Sequence, residues 1–269
     1  MTALVRPARF AGSWYPGDPV ELARTIRAHL PAEARPAPAR AVVVPHAGYI
    51  YSLGIAAETY ARARIPSTAV VLCPNHTVPP PIISLWPSGA WQTPLGSVPV
   101  DEALAADILA ECPFVEAEAS AHLREHAIEL QLPILQTLRP DVRVVALVVA
   151  HPSYETLAAL GEGIARAVAR HGDTLLVAST DMTHQEPAER ARAKDALALE
   201  RLLALDARGL LEVCERERIT MCGVRPTTAV VVAAKALGAQ RAELVRYGNS
   251  GETNGDFDRV VGYAGVVVR

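Results

Sequence analysis

The stretch Val42-Val-Val-Pro-His-Ala-Gly-Tyr-Ile-Tyr51 decides how this chain is read. Three β-branched residues ending at Pro45 predict a strand buried on both faces, as in a parallel sheet. Proline stops that strand because it has no N–H to offer the ladder. His46 therefore follows the carboxyl end of a central strand, the edge along which open α/β sheets hold their ligands. Gly48 permits the close turn beyond it.

The same pattern recurs twice. Residues 69–73 form an apolar run that ends in Pro74-Asn-His76, and residues 174–178 form another that opens into Ser179-Thr-Asp181-Met-Thr-His184. Parallel strands bring such loops to one edge, so His46, His76, Asp181 and His184 are expected to converge. Imidazoles from two loops are ordinary transition-metal ligands. Asp181 and His184 then either complete the shell or form a proton-transferring pair.

Further strands are predicted over 82–86, 142–149, 244–246 and 260–268, with a hairpin over 91–100 turning at Gly96. Helices are predicted over 18–30, 55–63, 101–111, 154–169, 187–207 and 227–237, the last capped by Gly238. Residues 122–138 show helical periodicity through Leu123, Ile128, Leu132 and Leu135, with Pro133 as kink or boundary. Gly12-Ser-Trp-Tyr-Pro-Gly17 reads as an ordered N-terminal cover. Alternating strands and helices predict an α/β fold with a mainly parallel or mixed central sheet flanked by helices.

Composition narrows the function classes. Half of the 269 residues are hydrophobic, enough for one sizeable core, and the net charge of -3 is spread without a basic face, which argues against a nucleic-acid partner. No apolar run approaches the ~20 residues that span a bilayer. The opening residues lack an apolar leader, so a cytoplasmic address is expected. Four cysteines stand far apart with no CxxC pair, so neither a disulfide framework nor a zinc ribbon is indicated. Cys222, between a polar stretch and an apolar helix, suits a metal ligand, a nucleophile or a small buried residue. His122-Leu-Arg-Glu125-His126 matches the H-x-x-E-H pattern of inverted zinc peptidases and stands as a competing reading.

Taken together, Gly12-Ser-Trp-Tyr15, Pro45-His-Ala-Gly-Tyr49, Pro74-Asn-His76, Glu125-His126 with Glu129, Asp181 with His184, Cys222-Gly223 and Gly262-Tyr263 resemble the Memo family, called AmmeMemoRadiSam system protein B in prokaryotes. The resemblance covers nearly the whole chain and implies one domain over 1–269 with the fold of the class III extradiol dioxygenases. It implies His46, His76 and Cys222 as metal ligands, with His126, Asp181 and His184 around them. The dioxygenases use a carboxylate as third ligand where this chain offers a thiolate, which is softer and itself oxidisable. Fe(II) is the metal expected, with copper and zinc chemically admissible. The implied activity is oxygen-dependent oxidation of a small molecule, with His184 as acid or base, Asp181 orienting it and His126 hydrogen-bonding the oxygen species. The alternative is a non-catalytic metal-handling or binding module that works with radical-SAM and AMMECR1-type partners.

Overall fold

The computed structural model of the chain describes residues 4–77 and 82–269. Its centre is four parallel strands in the spatial order Ala41–Val44, Leu175–Ser179, Thr68–Pro74 and Arg143–Val149. All but Arg143 at the margin are buried, as the continuous apolar runs demand. The sheet widens through antiparallel neighbours. Val260–Val268 pairs with Ala41–Val44 on one side, and Ile83–Leu85 pairs with Arg143–Val149 on the other. The sheet is therefore mixed, parallel where the site lies and antiparallel at its flanks, with helices packed against it. Tyr49–Ala61 and Val224–Ala236 both lie against the Ala41–Val44 strand.

The helices start where local chemistry starts them. Asp18, Asp101 and Ser153 each accept a hydrogen bond from a backbone N–H in the first turn of the helix that follows, and Pro19 occupies the first turn after Asp18. Gly238, with φ of 90°, takes the left-handed conformation just past the Val224–Ala236 helix.

Three local expectations are corrected. Residues 122–138 do not form one helix. They form short helices at Ser120–Leu123 and Leu132–Leu138, with turns between them, and Pro133 sits in the first turn of the second. Three polar or very short strands escaped the pattern: His184–Glu186 on the sheet edge, Glu116–Ala117 beside Ile83–Leu85, and Val5–Arg6, which pairs with Ala90–Thr93 in a separate small sheet. The helix placed at 55–63 begins earlier, at Tyr49, whose N–H donates to Trp14 O at 2.9 Å.

The N-terminal cover is real and is tied down by a buried carboxylate. Glu129 Oε1 accepts from Phe10 N–H at 2.8 Å and from Tyr15 O–H at 2.6 Å, and Oε2 accepts from Arg9 N–H at 3.1 Å. Arg6, fully buried, pairs with Glu129 and also donates to His122 O at 3.2 Å and Glu125 O at 2.7 Å. Its guanidinium lies 4.8 Å from the Trp91 ring centre. Among the described residues, no helix is long and apolar enough to cross a membrane.

Candidate metal centre

The carboxyl ends of the parallel strands open onto a cavity of about 610 Å³ whose lining includes His46, His76, His126, Asp181 and His184. The loop residues expected to converge do so. The ring centres of His46 and His76 are 5.3 Å apart, those of His46 and His126 are 5.3 Å apart, and His76 stacks on His126 at 4.7 Å. One ligand nitrogen from each of these three rings lies within 4.8 Å of the others. Cys222 Sγ lies 3.3 Å from His46 Nε2, next to this cluster but outside the three groups that converge.

The hydrogen-bond network fixes how His46 faces that cluster. Gln131 Nε2 donates to Pro45 O and to Ser179 Oγ, both at 2.9 Å, which orients its amide. Ser179 Oγ spends its single proton on Ala127 O at 2.9 Å. At 2.9 Å from His46 Nδ1, that hydroxyl can only accept, so Nδ1 carries the proton and Nε2 keeps its lone pair beside Cys222. Burial above all, and then the neighbouring His76, lowers the His46 pKa to about 3, so the ring is neutral at physiological pH.

A carboxylate does the same for His76. Glu125 is fully buried, and Oε1 lies 2.9 Å from His76 Nδ1 and 3.0 Å from Ala127 N, while Oε2 accepts from His76 N–H at 2.8 Å. Burial pushes its pKa up, but the bond and charge of His76, the charge of His126 and the Ala127 N–H outweigh it and hold it at about 2. Glu125 is thus an acceptor, His76 Nδ1 the donor, and His76 Nε2 the free ligand atom, an arrangement typical of metal-bound histidines. The same carboxylate lies 3.4 Å from His126 Nδ1. Burial and the charge of His46 lower the His126 pKa to about 3.

Cys222 reaches His46 because Gly223 follows it. A Cβ at Gly223 would come within 2.5 Å of Thr180 Cβ and 2.7 Å of Ser179 O, so only glycine lets this turn press against the end of the Leu175–Ser179 strand. Asp181 N–H donates to Cys222 Sγ at 3.2 Å, a bond that favours thiolate, whereas burial and the Asp181 carboxylate push the thiol's pKa up. A bound cation would reverse that balance.

Asp181 and His184 both line the cavity, but each has its own partner. Asp181 Oδ1 accepts from His46 N–H at 2.8 Å, and burial raises its pKa. His184 is oriented by Thr220, whose O accepts from Nδ1 at 2.9 Å and whose Oγ1 accepts from the His184 N–H at 2.7 Å. Trp14 covers His126 with ring centres 4.4 Å apart.

His122 stands apart from this group. It is fully buried between Trp86 and Trp91, at 5.9 Å from each ring, with Nε2 3.1 Å from Ser84 Oγ. Because residues 122–126 are not a continuous helix, His122 and His126 do not share a face, and the peptidase geometry is absent. Ser179, Gln131 and Thr220 were missed by sequence reading. Gln131, a polar residue amid an apolar run, was the one available signal.

The donors suit a transition metal: imidazoles whose Nδ1 atoms are held by other partners, beside a thiol.

The sequence model of the Memo-like protein family matches residues 6–267. A MEMO1 family protein of Methanopyrus kandleri is 41% identical over 280 residues, covering 98% of this chain and 99% of the relative. Those of Methanothermobacter thermautotrophicus and Aquifex aeolicus are 37% and 39% identical, covering 97% and 98% of this chain and 99% and 98% of the relatives. Among solved structures, an uncharacterized protein from Escherichia coli K12 is similar with a TM-score of 0.49 and 12% identity, covering 83% of this chain and 98% of that one. With the family model matching residues 6–267 and these relatives 37–41% identical over 97–98% of its length, the chain belongs to the Memo family.

Proposed function

We propose that this protein is a mononuclear metalloenzyme in which His46, His76 and Cys222 hold Fe(II), and that it oxidises a small organic molecule seated in the adjoining cavity. The observation that carries this reading is the 3.3 Å separation of His46 Nε2 and Cys222 Sγ. Metal–nitrogen and metal–sulfur bonds of about 2.0 and 2.3 Å put two donors of one ion roughly 3–4 Å apart. Bound Fe(II) would supply one-electron chemistry toward dioxygen, as it does in the dioxygenases this family resembles.

The chain's own residues supply the rest. Ser179 and Glu125 hold two imidazoles with Nε2 available. His184, with Nδ1 committed to Thr220, can take or release a proton at Nε2 on the cavity wall. Trp14 and Tyr263 line the same cavity as the histidines.

A second reading makes His126 the third ligand instead of Cys222, favoured by the close approach of the three imidazoles. Copper or zinc would fit either donor set. A pocket used without turnover, in a module that handles metal alongside radical-SAM and AMMECR1-type partners, is the remaining alternative. Elemental analysis after anaerobic Fe(II) loading tests the reading. It predicts one iron per chain, lost in His46→Ala and in Cys222→Ser and retained in His184→Ala. Full occupancy in Cys222→Ser with loss in His126→Ala would transfer the ligand role to His126. Full occupancy in His46→Ala would refute the site.

A further inference from the structure

Beside His184 the sheet edge is irregular in a way its pairing does not require. His184 registers with Val261 and Glu186 with Val260, leaving Gln185 as the extra residue of a β-bulge. Gln185 has φ of 61°, a left-handed conformation unusual for a residue with a side chain. In a regular strand, neighbouring side chains face opposite sides, yet His184 and Gln185 both line the cavity. Bulges beside sites re-aim a side chain in this manner, and such strain persists where function holds it.

What Gln185 joins there is rich in donors. Arg259 also lines the cavity, and its guanidinium has no ion pair among the described residues. Asp256 Oδ1 accepts from the N–H groups of both Asp258 and Arg259. Asn254 Oδ1 accepts from Asp256 N–H at 3.0 Å, and its NH2 makes no hydrogen bond among the described residues. The one carboxylate lining the cavity, Asp181, is held by His46 N–H. Next to these donors stand Trp14 and Ile50, the latter 74% exposed. A donor-rich rim beside an apolar wall complements a small acid with an apolar body.

We propose that Gln185, Arg259 and Asn254 form a subsite for the oxyanion of a small organic acid, a carboxylate or a phosphate ester, with its apolar part against Trp14 and Ile50. This rests on the reading of the cavity as a substrate site and names the class of substrate.

Calorimetric titration of the iron-loaded and metal-free full chain with benzoate, inorganic phosphate, benzylamine and benzyl alcohol tests it, with metal content measured on the same samples. Benzoate is expected to bind at least tenfold more tightly than benzylamine or benzyl alcohol. Arg259→Ala and Gln185→Gly are expected to weaken it about tenfold each, as the loss of a hydrogen bond to a charged group does. Glycine suits the left-handed backbone at 185, so that variant removes the amide without straining the fold. Inorganic phosphate binding more tightly than benzoate, with the same dependence on Arg259, would support the subsite and assign it to phosphate esters. Equal binding of benzylamine and benzoate, or benzoate affinity unchanged in both variants, would overturn it. Metal uptake without Arg259-dependent anion binding would defeat this proposal alone. Anion binding without metal uptake would defeat the metal reading alone.

Discussion

Glu125 holds His76 at two points: Oε1 lies 2.9 Å from Nδ1 and Oε2 accepts the backbone N–H at 2.8 Å. One buried carboxylate thus fixes both the loop and the ring, and the ring's other nitrogen is left to the cavity. Glu125→Gln keeps the volume but removes the charge that raises the ligand's basicity. Metal affinity should fall about 10- to 100-fold, read by competition with a chelator of known affinity, while the far-ultraviolet circular dichroism stays unchanged. Unaltered affinity would mean that His76 does not bind the ion through Nε2.

Arg6 and Glu129 form an ion pair with no exposed surface, and Glu129 also gathers three donors from the N-terminal cover. Removing one partner leaves a buried charge, so Glu129→Ala should cost about 3–5 kcal/mol in urea denaturation. Tyr15→Phe, which loses one hydrogen bond to that carboxylate, should cost about 1.5–3 kcal/mol. A smaller loss for Glu129→Ala than for Tyr15→Phe would contradict the clasp.

Acid should destabilise the metal-free protein well before ordinary carboxylates titrate. Burial lowers the pKa of His46, His122 and His126 to about 3 each, against about 6.5 in the unfolded chain. Between those values the unfolded state binds more protons, so stability falls as pH drops, by about 1.4 kcal/mol per pH unit for each histidine. Glu125, held at about 2, acts in the same direction below about pH 4.5. Asp181 and Asp195, whose pKa values burial raises, act oppositely, but three histidines outnumber them. Urea midpoints measured from pH 7 to pH 4.5 should decline throughout. A flat profile to pH 5 would contradict the neutral, buried histidines.

Gly223 seats Cys222. In Gly223→Ala the added methyl meets Thr180 and Ser179 O at the distances given above, so either the turn lifts away or the strand end yields. Metal affinity should drop with only a moderate loss of stability, about 1–3 kcal/mol for an overpacked site. An alanine variant that binds metal like the wild type would show that Cys222 need not approach His46.

Much of this site could be read from the sequence because its first layer obeys strand grammar. An apolar run, a proline or polar stop and a histidine mark His46 and His76, and the Ser179–His184 loop follows the same rule. The layer behind does not. Residues 122–138 have helical spacing, yet the O atoms of His122, Glu125 and Ala127 accept from Arg6 and Ser179. Those partners lie more than 50 residues away, and at Glu125 and Ala127 they stand where a helix's own N–H groups would. His126 consequently lines the cavity from the irregular stretch between the two short helices, with Glu125 buried behind it, where no local periodicity could place them. The His184–Glu186 strand was equally hidden, being short, polar and bulged at Gln185.

The most direct test of the central claim is the electronic spectrum of the Co(II)-substituted protein, recorded for the wild type, Cys222→Ser and His126→Ala. Cobalt reports a bound thiolate through an intense sulfur-to-metal charge-transfer band. That band is expected in the wild type and in His126→Ala, and is expected to be lost in Cys222→Ser. A wild-type spectrum without the band, or a band that survives in Cys222→Ser, would contradict a metal held by His46, His76 and Cys222.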